Sequence, residues 1–362
     1  MVALPLCITL FFTSLMNNGQ PVDMPIGIVD QDNTTMSRKL TRTIDSFQST
    51  HVVAHYPSVD DARVAMQRNE IYGFILFPEH FTRDVLSLRQ PTMSFYYSNT
   101  SLTAGALVFK QMKTLCSLGM AGVMSSLMQG LGVPKQFIMP VLQPVVIDDH
   151  EIGNPWINYN MYLSNMIVPA SFLLFVFLIT AYSLGTELKF GTSKEWLEMA
   201  QGSIVKALLT KMVVHTMIYL VVFMIIFAYM FGYLHFPAPG GIGRLLLLAI
   251  LSILAAQGFA IFIFGLMPSM RLAMSICSLW GVLSFSMVGS AFPVFAMDAP
   301  LQSAAWLFPM RHYYLFFQLC IFNDYPLADA AQHIVAMLVF ATLPWLVMGR
   351  LKKAMLTYEY EP

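Results

Sequence analysis

MYLSNMIVPASFLLFVFLITAYS, residues 161–183, carries no charged residue from end to end. A helix that crosses a bilayer needs about 20 predominantly apolar residues, and this run supplies them. Further apolar runs follow at 205–233, 243–266, 272–291 and 329–349. The whole composition agrees: 57% of the residues are apolar and 11% charged, against roughly half and a quarter in soluble domains. Twenty basic residues balance twenty acidic ones, so the chain lacks the basic footprint of a nucleic-acid binder. High hydrophobicity excludes a disordered chain, and four cysteines in 362 residues exclude a disulfide scaffold. An integral membrane protein remains.

Towards the N-terminus, Val2 to Met16 is apolar but short of a full span. It has no basic flank and no small-residue cleavage pattern before Asn17, which argues against a cleaved signal peptide. Residues 1–17 are expected to be the outer part of a truncated first transmembrane helix, Met1 being an internal start or a boundary. The expected fold is therefore membrane α-helical, with six transmembrane helices and an α/β extracytoplasmic domain between helices 1 and 2.

That domain spans 18–158, where the composition becomes ordinary for a water-soluble chain. Met24 to Val29 predicts a strand ending in the turn-forming Asp30, Asp32 and Asn33, and Thr34 to Phe47 has helical spacing. Ser58 followed by Asp61 resembles a capping box opening a helix through Arg68. Ile71 to Phe77 predicts a buried strand closed by Pro78, Glu79 to Leu88 a short helix, and Thr92 to Tyr97 another strand. A long helix over Leu102 to Leu131 and a strand over Val141 to Ile147 complete the domain. Alternating strands and helices predict a mixed or parallel sheet. Residues 159–362 form the transmembrane domain.

Short loops set orientation, because long domains translocate largely regardless of charge. With 18–158 outside, the inner segments 184–211, 267–271 and 350–362 hold Lys189, Lys194, Lys206, Lys211, Arg271, Arg350, Lys352 and Lys353. The short outer segments hold only Arg244 and Arg311. This bias places the domain outside and the C-terminus inside.

The sequence contains no phosphate-binding loop, no HExxH, no EF-hand pattern and no GxSxG elbow, so no catalytic centre and no metal site is predicted. His215 is the one ionisable residue well inside an apolar run, where a packing role is expected. Cys7 and Cys277 lie in apolar runs, Cys116 and Cys320 outside them, and inert thiols are expected. Scattered methionines point to adaptable packing rather than metal export. Two stretches carry more information. In the inner loop 184–211, Gly191 permits a sharp turn, Thr192 and Glu195 form a T-x-x-E capping box, and Trp196, Leu197 and Met199 offer apolar anchors beside Glu195 and Glu198. A short helix in the interface or in a partner's groove is expected. The outer segment Phe292 to Tyr314 sets Pro293, Pro300 and Pro309 among apolar residues, with Trp306, Phe308, Tyr313 and Tyr314. It is too broken for a straight span and too apolar for a free loop, which predicts a re-entrant or interfacial hairpin over 292–326.

In this order and topology, the chain resembles the permease subunit of type-2 ATP-binding-cassette (ABC-2) exporters, in the branch with a large external domain after the first span. The first external strand Pro25 to Asp32 with its following Ser37, the Tyr72 to Phe81 strand and its Pro-x-x-Phe exit, and Tyr97-Ser-Asn-Thr are similar to that branch. Asn154-Pro155 matches the junction that leads its chain back into the membrane. Glu187, Gly191, Thr192, Glu195 and Trp196 resemble its ATPase-coupling loop, although Thr186 and Lys189 depart from it by standing where a basic and an acidic residue are usual. Pro293, Pro300 and Pro309 resemble its outer re-entrant hairpin.

The resemblance implies a non-enzymatic permease that moves an apolar or amphipathic substrate out of the cytoplasm or inner leaflet, in efflux or multidrug export. It implies a cytoplasmic ABC ATPase partner that carries the ATP and magnesium, none bound directly by this chain. A second permease, as a homodimer or a paralogue, the lipid membrane and room for a periplasmic adaptor follow, with no nucleic acid. The implied place is the bacterial inner membrane, multi-pass. Two other readings stay open: a non-transporting scaffold or receptor of the same architecture, related to phage-infection proteins, and a secondary transporter, which the scarcity of intramembrane acids disfavours.

Overall fold

A computed structural model describes residues 1–47, 49–87, 89, 92–98, 102–130, 132, 134, 154 and 158–357. The chain divides into two compact units, Met1–Gly19 with Glu151–Pro362, and Gln20–His150.

In Gln20–His150, strands β1 (Met24–Asp30), β2 (Thr50–His55), β3 (Gly73–Phe77) and β4 (Ser94–Tyr97) form one sheet in the order β2-β1-β3-β4. β1 pairs parallel with β2 and with β3, and β4 closes the sheet antiparallel to β3. Side chains alternate across a strand, so β1 and β3 serve two cores. Ile26, Ile28, Ile75 and Phe77 pack with α2 (Thr35–Asp45), α4 (Phe81–Leu86) and α5 (Leu102–Gly130). Val29 and Phe74 pack on the other face with Ala62 and Ala65 of α3 (Val59–Gln67). Burial on both faces is what parallel central strands require. Thr34 and Ser37 close a reciprocal capping box at α2, and Ser58 caps α3 by accepting from the Asp61 amide. The sequence assigned no element to residues 48–57. β2 forms there as an edge strand, and its alternating half-buried pattern is carried by only two adjacent valines, a weak periodic signal. The strand expected over Val141 to Ile147 lies outside the described residues.

The other unit is helical. Among the described residues four helices are long and apolar enough to cross a membrane: α6 (Tyr159–Lys189), α8 (Ile204–Phe227, continued by a π-helical turn Ala228–Tyr233), α9 (Gly241–Leu266) and α10 (Met270–Met287). They are joined by a short α7 (Ser193–Met199), which follows α6, and by α11 (Ala299–Ala304) and α12 (Pro309–Phe316) beyond α10. A fifth span exists only if α13 (Ala331–Thr342) with its 3-10 extension Leu343–Leu346 is counted together with α14 (Met348–Thr357), a pair bent by 44°.

The expectation of six spans is thereby corrected. The N-terminal run forms α1 (Ala3–Leu15) of 13 residues, about 20 Å at the helical rise, short of a hydrocarbon core of about 30 Å. α1 nevertheless belongs to the helical unit: Asn160 Nδ2 donates to the Thr13 carbonyl (3.1 Å), and the Thr13 hydroxyl lies 3.2 Å from the Tyr229 hydroxyl. The last apolar run is continuous in hydropathy but not in backbone. Pro344 has no N–H to donate, and the helix tightens into a 3-10 turn before it bends.

α9 is the helix around which the others assemble. Its backbone at Gly258 lies so close to α13 that a Cβ there would stand 2.3 Å from the Phe340 carbonyl oxygen. Small residues allow such backbone approach where lipid gives helices no hydrophobic reason to associate. Gly258→Ala is therefore expected to cost about 1–3 kcal/mol by overpacking, read as a lower melting temperature in detergent. Gly243→Ala, on the same helix with open space around it, should melt at or above the temperature of the unaltered chain.

Candidate functional site

The stretch that joins α6 to α8 is a compact corner. α6 ends at the C-cap Phe190, Gly191 adopts φ +70°, and α7 starts at Ser193. A left-handed residue costs glycine no steric penalty, so the chain reverses within two residues. The expected Thr192–Glu195 capping box does not form: Thr192 makes no side-chain cap bond. Thr192 takes helical rather than extended backbone angles, which turns its side chain away from the Glu195 amide, and its hydroxyl donates to Glu187 Oε2 at 2.5 Å.

Glu187 has a second tie. Lys211 Nζ, on α8, donates to Glu187 Oε1 at 2.5 Å and to the Ser183 carbonyl at 2.7 Å. The ammonium also lies 5.1 Å from the centroid of the Trp196 ring, a cation–π arrangement. Both charged side chains are 18% exposed. One carboxylate and one ammonium thus hold α6, α7 and α8 at a single point, and Glu187 faces inward.

The opposite face of α7 points away from the protein. Ser193 and Leu197 anchor it: Leu197 is buried, and the Ser193 hydroxyl donates to the Met355 carbonyl of α14 at 2.7 Å. Lys194, Glu195 and Glu198 are exposed between Phe190, 70% exposed, and Met199, 80% exposed. Glu195 makes no ion pair among the described residues. Of the five loop residues singled out in the sequence, Glu187, Thr192 and Trp196 come together in the inward knot, Gly191 makes the turn, and Glu195 stands on the outer face.

The segment after α10 is helical but broken. A 3-10 turn Val294–Ala296 follows Pro293, Pro300 sits in the first turn of α11, and Pro309 opens α12. A first-turn proline forgoes an N–H that no intrahelical carbonyl would accept, so the three prolines divide the segment without orphaned donors. α11 buries none of its side chains, whereas α12 buries six of eight and runs into a second π-helical turn, Phe317–Phe322. Trp280 of α10 holds the junction, donating to the Leu307 carbonyl at 3.2 Å and stacking on Phe308. Arg311 Nη1 donates to the Val288 carbonyl at 3.2 Å, a cation at the carbonyl end of α10. The junction residue Asn154 brackets the start of α6: its Oδ1 accepts from the Asn158 amide and its Nδ2 donates to the Asn158 carbonyl, both at 2.9 Å. Pro155 lies outside the described residues.

Two histidines were missed. His312 and His333 are buried with their Nδ1 atoms 3.2 Å apart, His312 Nε2 is 3.0 Å from the Trp306 carbonyl, and His333 Nε2 is 3.3 Å from Gln332 Nε2. A carbonyl accepts only, so His312 carries its proton on Nε2 and accepts at Nδ1. His333 then donates from Nδ1 and accepts from Gln332 at Nε2. Two neutral rings satisfy the whole chain of bonds. No local spacing could reveal this, since the partners are separated by a turn and come from different helices. Cys277 and Cys320 are buried, and all four thiols are free. Among the described residues no group of three metal-ligating side chains occurs.

With this geometry in place, comparison with known proteins is informative. The family model for ABC-2 family transporter proteins matches residues 1–349. No curated protein matches the chain at a significant level.

The inward knot makes a stability prediction. Glu187→Ala and Lys211→Ala should each lower stability by about 2 kcal/mol, the scale of a hydrogen bond to a charged group. The double variant should cost little more than either single one. Thermal melts of the four proteins in one detergent give the coupling energy, and strict additivity would show the pair to be energetically idle.

Proposed function

The chain belongs to the ABC-2 family of transporter proteins, and on that premise we propose that it is the membrane-spanning permease subunit of an ATP-driven exporter. It is a multi-pass membrane protein, and the observation that carries the permease reading is the two-sided construction of α7. A helix seven residues long is too short to be stable alone. This one is fastened from behind by Ser193, Leu197 and the Glu187–Lys211 pair, and in front presents Phe190, Lys194, Glu195, Glu198 and Met199 to whatever lies outside the membrane unit. An apolar rim around charged residues suits a docking face for a separate cytoplasmic ATPase subunit, which would supply the ATP and magnesium. Movement of that subunit would reach α6 and α8 directly, because α7 is tied to both.

In this reading Glu195, with Glu198, Phe190 and Met199, meets the ATPase, while Glu187, Thr192 and Trp196 position α7 and Gly191 lets the chain turn. The basic residues clustered at the α7 end of the spans favour the cytoplasmic side for this corner, with Gln20–His150 outside and transport directed outward across the inner membrane. The broken segment carrying Pro293, Pro300 and Pro309 then forms the outer closure of the pathway, and Asn154 with Pro155 the return from the external domain. α8 and α10 leave much of their apolar surface uncovered, which suits pairing with a second permease as well as contact with lipid. An apolar or amphipathic cargo fits spans whose buried groups are mostly Met, Phe, Leu and Ile, and an adaptor bound to the external domain belongs to the same scheme.

Affinity purification of the full chain from its own cells in mild detergent tests this. A stoichiometric ATPase with vanadate-sensitive activity is expected. Glu195→Lys combined with Met199→Arg should lower its recovery at least tenfold while membrane insertion and melting temperature stay unchanged. A clean preparation with no ATPase would favour a scaffold or receptor of the same architecture, and full recovery with the double variant would remove α7 from the docking role.

A further inference from the structure

The α/β unit contains a feature that the permease reading does not use. α2 packs on one face of the sheet and α3 on the other, so the chain leaving β1 and the chain leaving the neighbouring β2 part in opposite directions. Between them, outside the carboxyl ends of the two strands, lies a crevice of about 540 Å3 lined by Asp30, Asn33, Arg38, Thr41, Arg42, His55, Tyr56 and Pro57.

The lining is cationic in effect. Asp30 is its only carboxylate, and that group is already engaged: one oxygen accepts from the Ser37 hydroxyl at 2.6 Å, the other from the Asp32 and Asn33 amides at 3.1 and 2.9 Å. Arg38 rests its Nε on the Thr34 carbonyl at 3.0 Å and its Nη2 on the Asn33 carbonyl at 3.5 Å, which leaves its Nη1 amino group for a ligand. Arg42, one turn further along α2, and His55, at the end of β2, have no acidic partner among the described residues. Tyr56 is fixed from two sides, its amide donating to the Ile28 carbonyl at 2.8 Å and its ring lying across Gly27. Burial, and behind it the Glu70 carboxylate, push its phenol above the ordinary range, so the hydroxyl stays a neutral donor.

We propose that this crevice binds a phosphomonoester. Two guanidinium forks match tetrahedral oxyanions, and the phenol and the imidazole add donors that a planar carboxylate would not use in full, whereas the Thr41 hydroxyl is already spent on the Ser37 carbonyl at 3.0 Å. The space exceeds that of a bare phosphate and leaves room for the esterified carbon skeleton. The group can come from a soluble metabolite or from a lipid headgroup of the monoester type.

Both sources are tested on the full chain in phosphatidylcholine nanodiscs, by calorimetric titration with glycerol 1-phosphate and by native mass spectrometry of phosphatidic acid retained from mixed bilayers. Saturable binding is expected, weakened at least tenfold by Arg38→Gln with Arg42→Gln and several-fold by Tyr56→Phe. The charge-preserving pair Arg38→Lys with Arg42→Lys should fall between, which guards against misfolding of the neutral variant. Binding of glycerol phosphate that the variants lose assigns a soluble ligand. Retention of phosphatidic acid alone, again lost in the variants, assigns a lipid. Absence of both, or binding that the arginine substitutions leave unchanged, overturns the proposal.

Discussion

The contact of the Gly258 backbone with the Phe340 carbonyl is the constraint on which the helical unit rests. Within hydrocarbon, every peptide group has to find its partner inside the protein, and this chain contains two stretches that fail to do so by a straight helix alone. One is the proline-divided segment after α10, the other the bend between α13 and α14. α12, which ends the first stretch, and the 3-10 turn Leu343–Leu346 of the second both pack on α9, whose Gly258 and Gly265 admit Phe340, Ala341 and Val347 to close contact. The same closeness explains why α9 is well covered while α8 and α10 keep broad uncovered faces.

At the α7 corner a different physics operates. The Glu187–Lys211 pair sits at the rim, sheltered enough to be geometrically fixed and wet enough to avoid the full desolvation cost of a buried ion pair. It joins three helices through a few short bonds and adds the indole face of Trp196 as a fourth contact. The surface beyond it is built the opposite way, from unpaired charges and exposed apolar side chains. Firm attachment behind and unsatisfied chemistry in front is the arrangement a transmitting element needs, since a force applied to the front cannot be absorbed by slippage at the back.

Much of this was legible in the chain before folding. Long apolar runs announced α6, α8, α9 and α10, and the alternation of turn residues with β-branched runs announced the central strands of the sheet. Other parts were hidden for identifiable reasons. Hydropathy counts residues and does not see backbone direction, so the run 329–349 read as one span although Pro344 breaks it. The N-terminal run was already too short by count, and it entered the six only as the outer part of a truncated span. The Thr192–Glu195 signature was correct in spacing and failed in geometry, because a capping pattern does not see that Thr192 takes helical rather than extended backbone angles. The His312–His333 pair could not be anticipated at all: its members meet only through the packing of α12 on α13.

The two π-helical turns have a consequence for the chain's history. Ala228–Tyr233 ends α8, Phe317–Phe322 ends α12, and the rings of Phe231 and Phe317 approach to 6.1 Å. A π-turn holds one residue more than the α-helix it interrupts, so each of these helices carries a spare residue at its end. Deleting one residue elsewhere in a span would swing everything beyond it by about 100° about the helix axis. At these two places it would merely convert the wide turn into an ordinary one. The helices therefore keep slack beside each other, where gain or loss of a single codon is absorbed locally and the rest of the bundle keeps its facing.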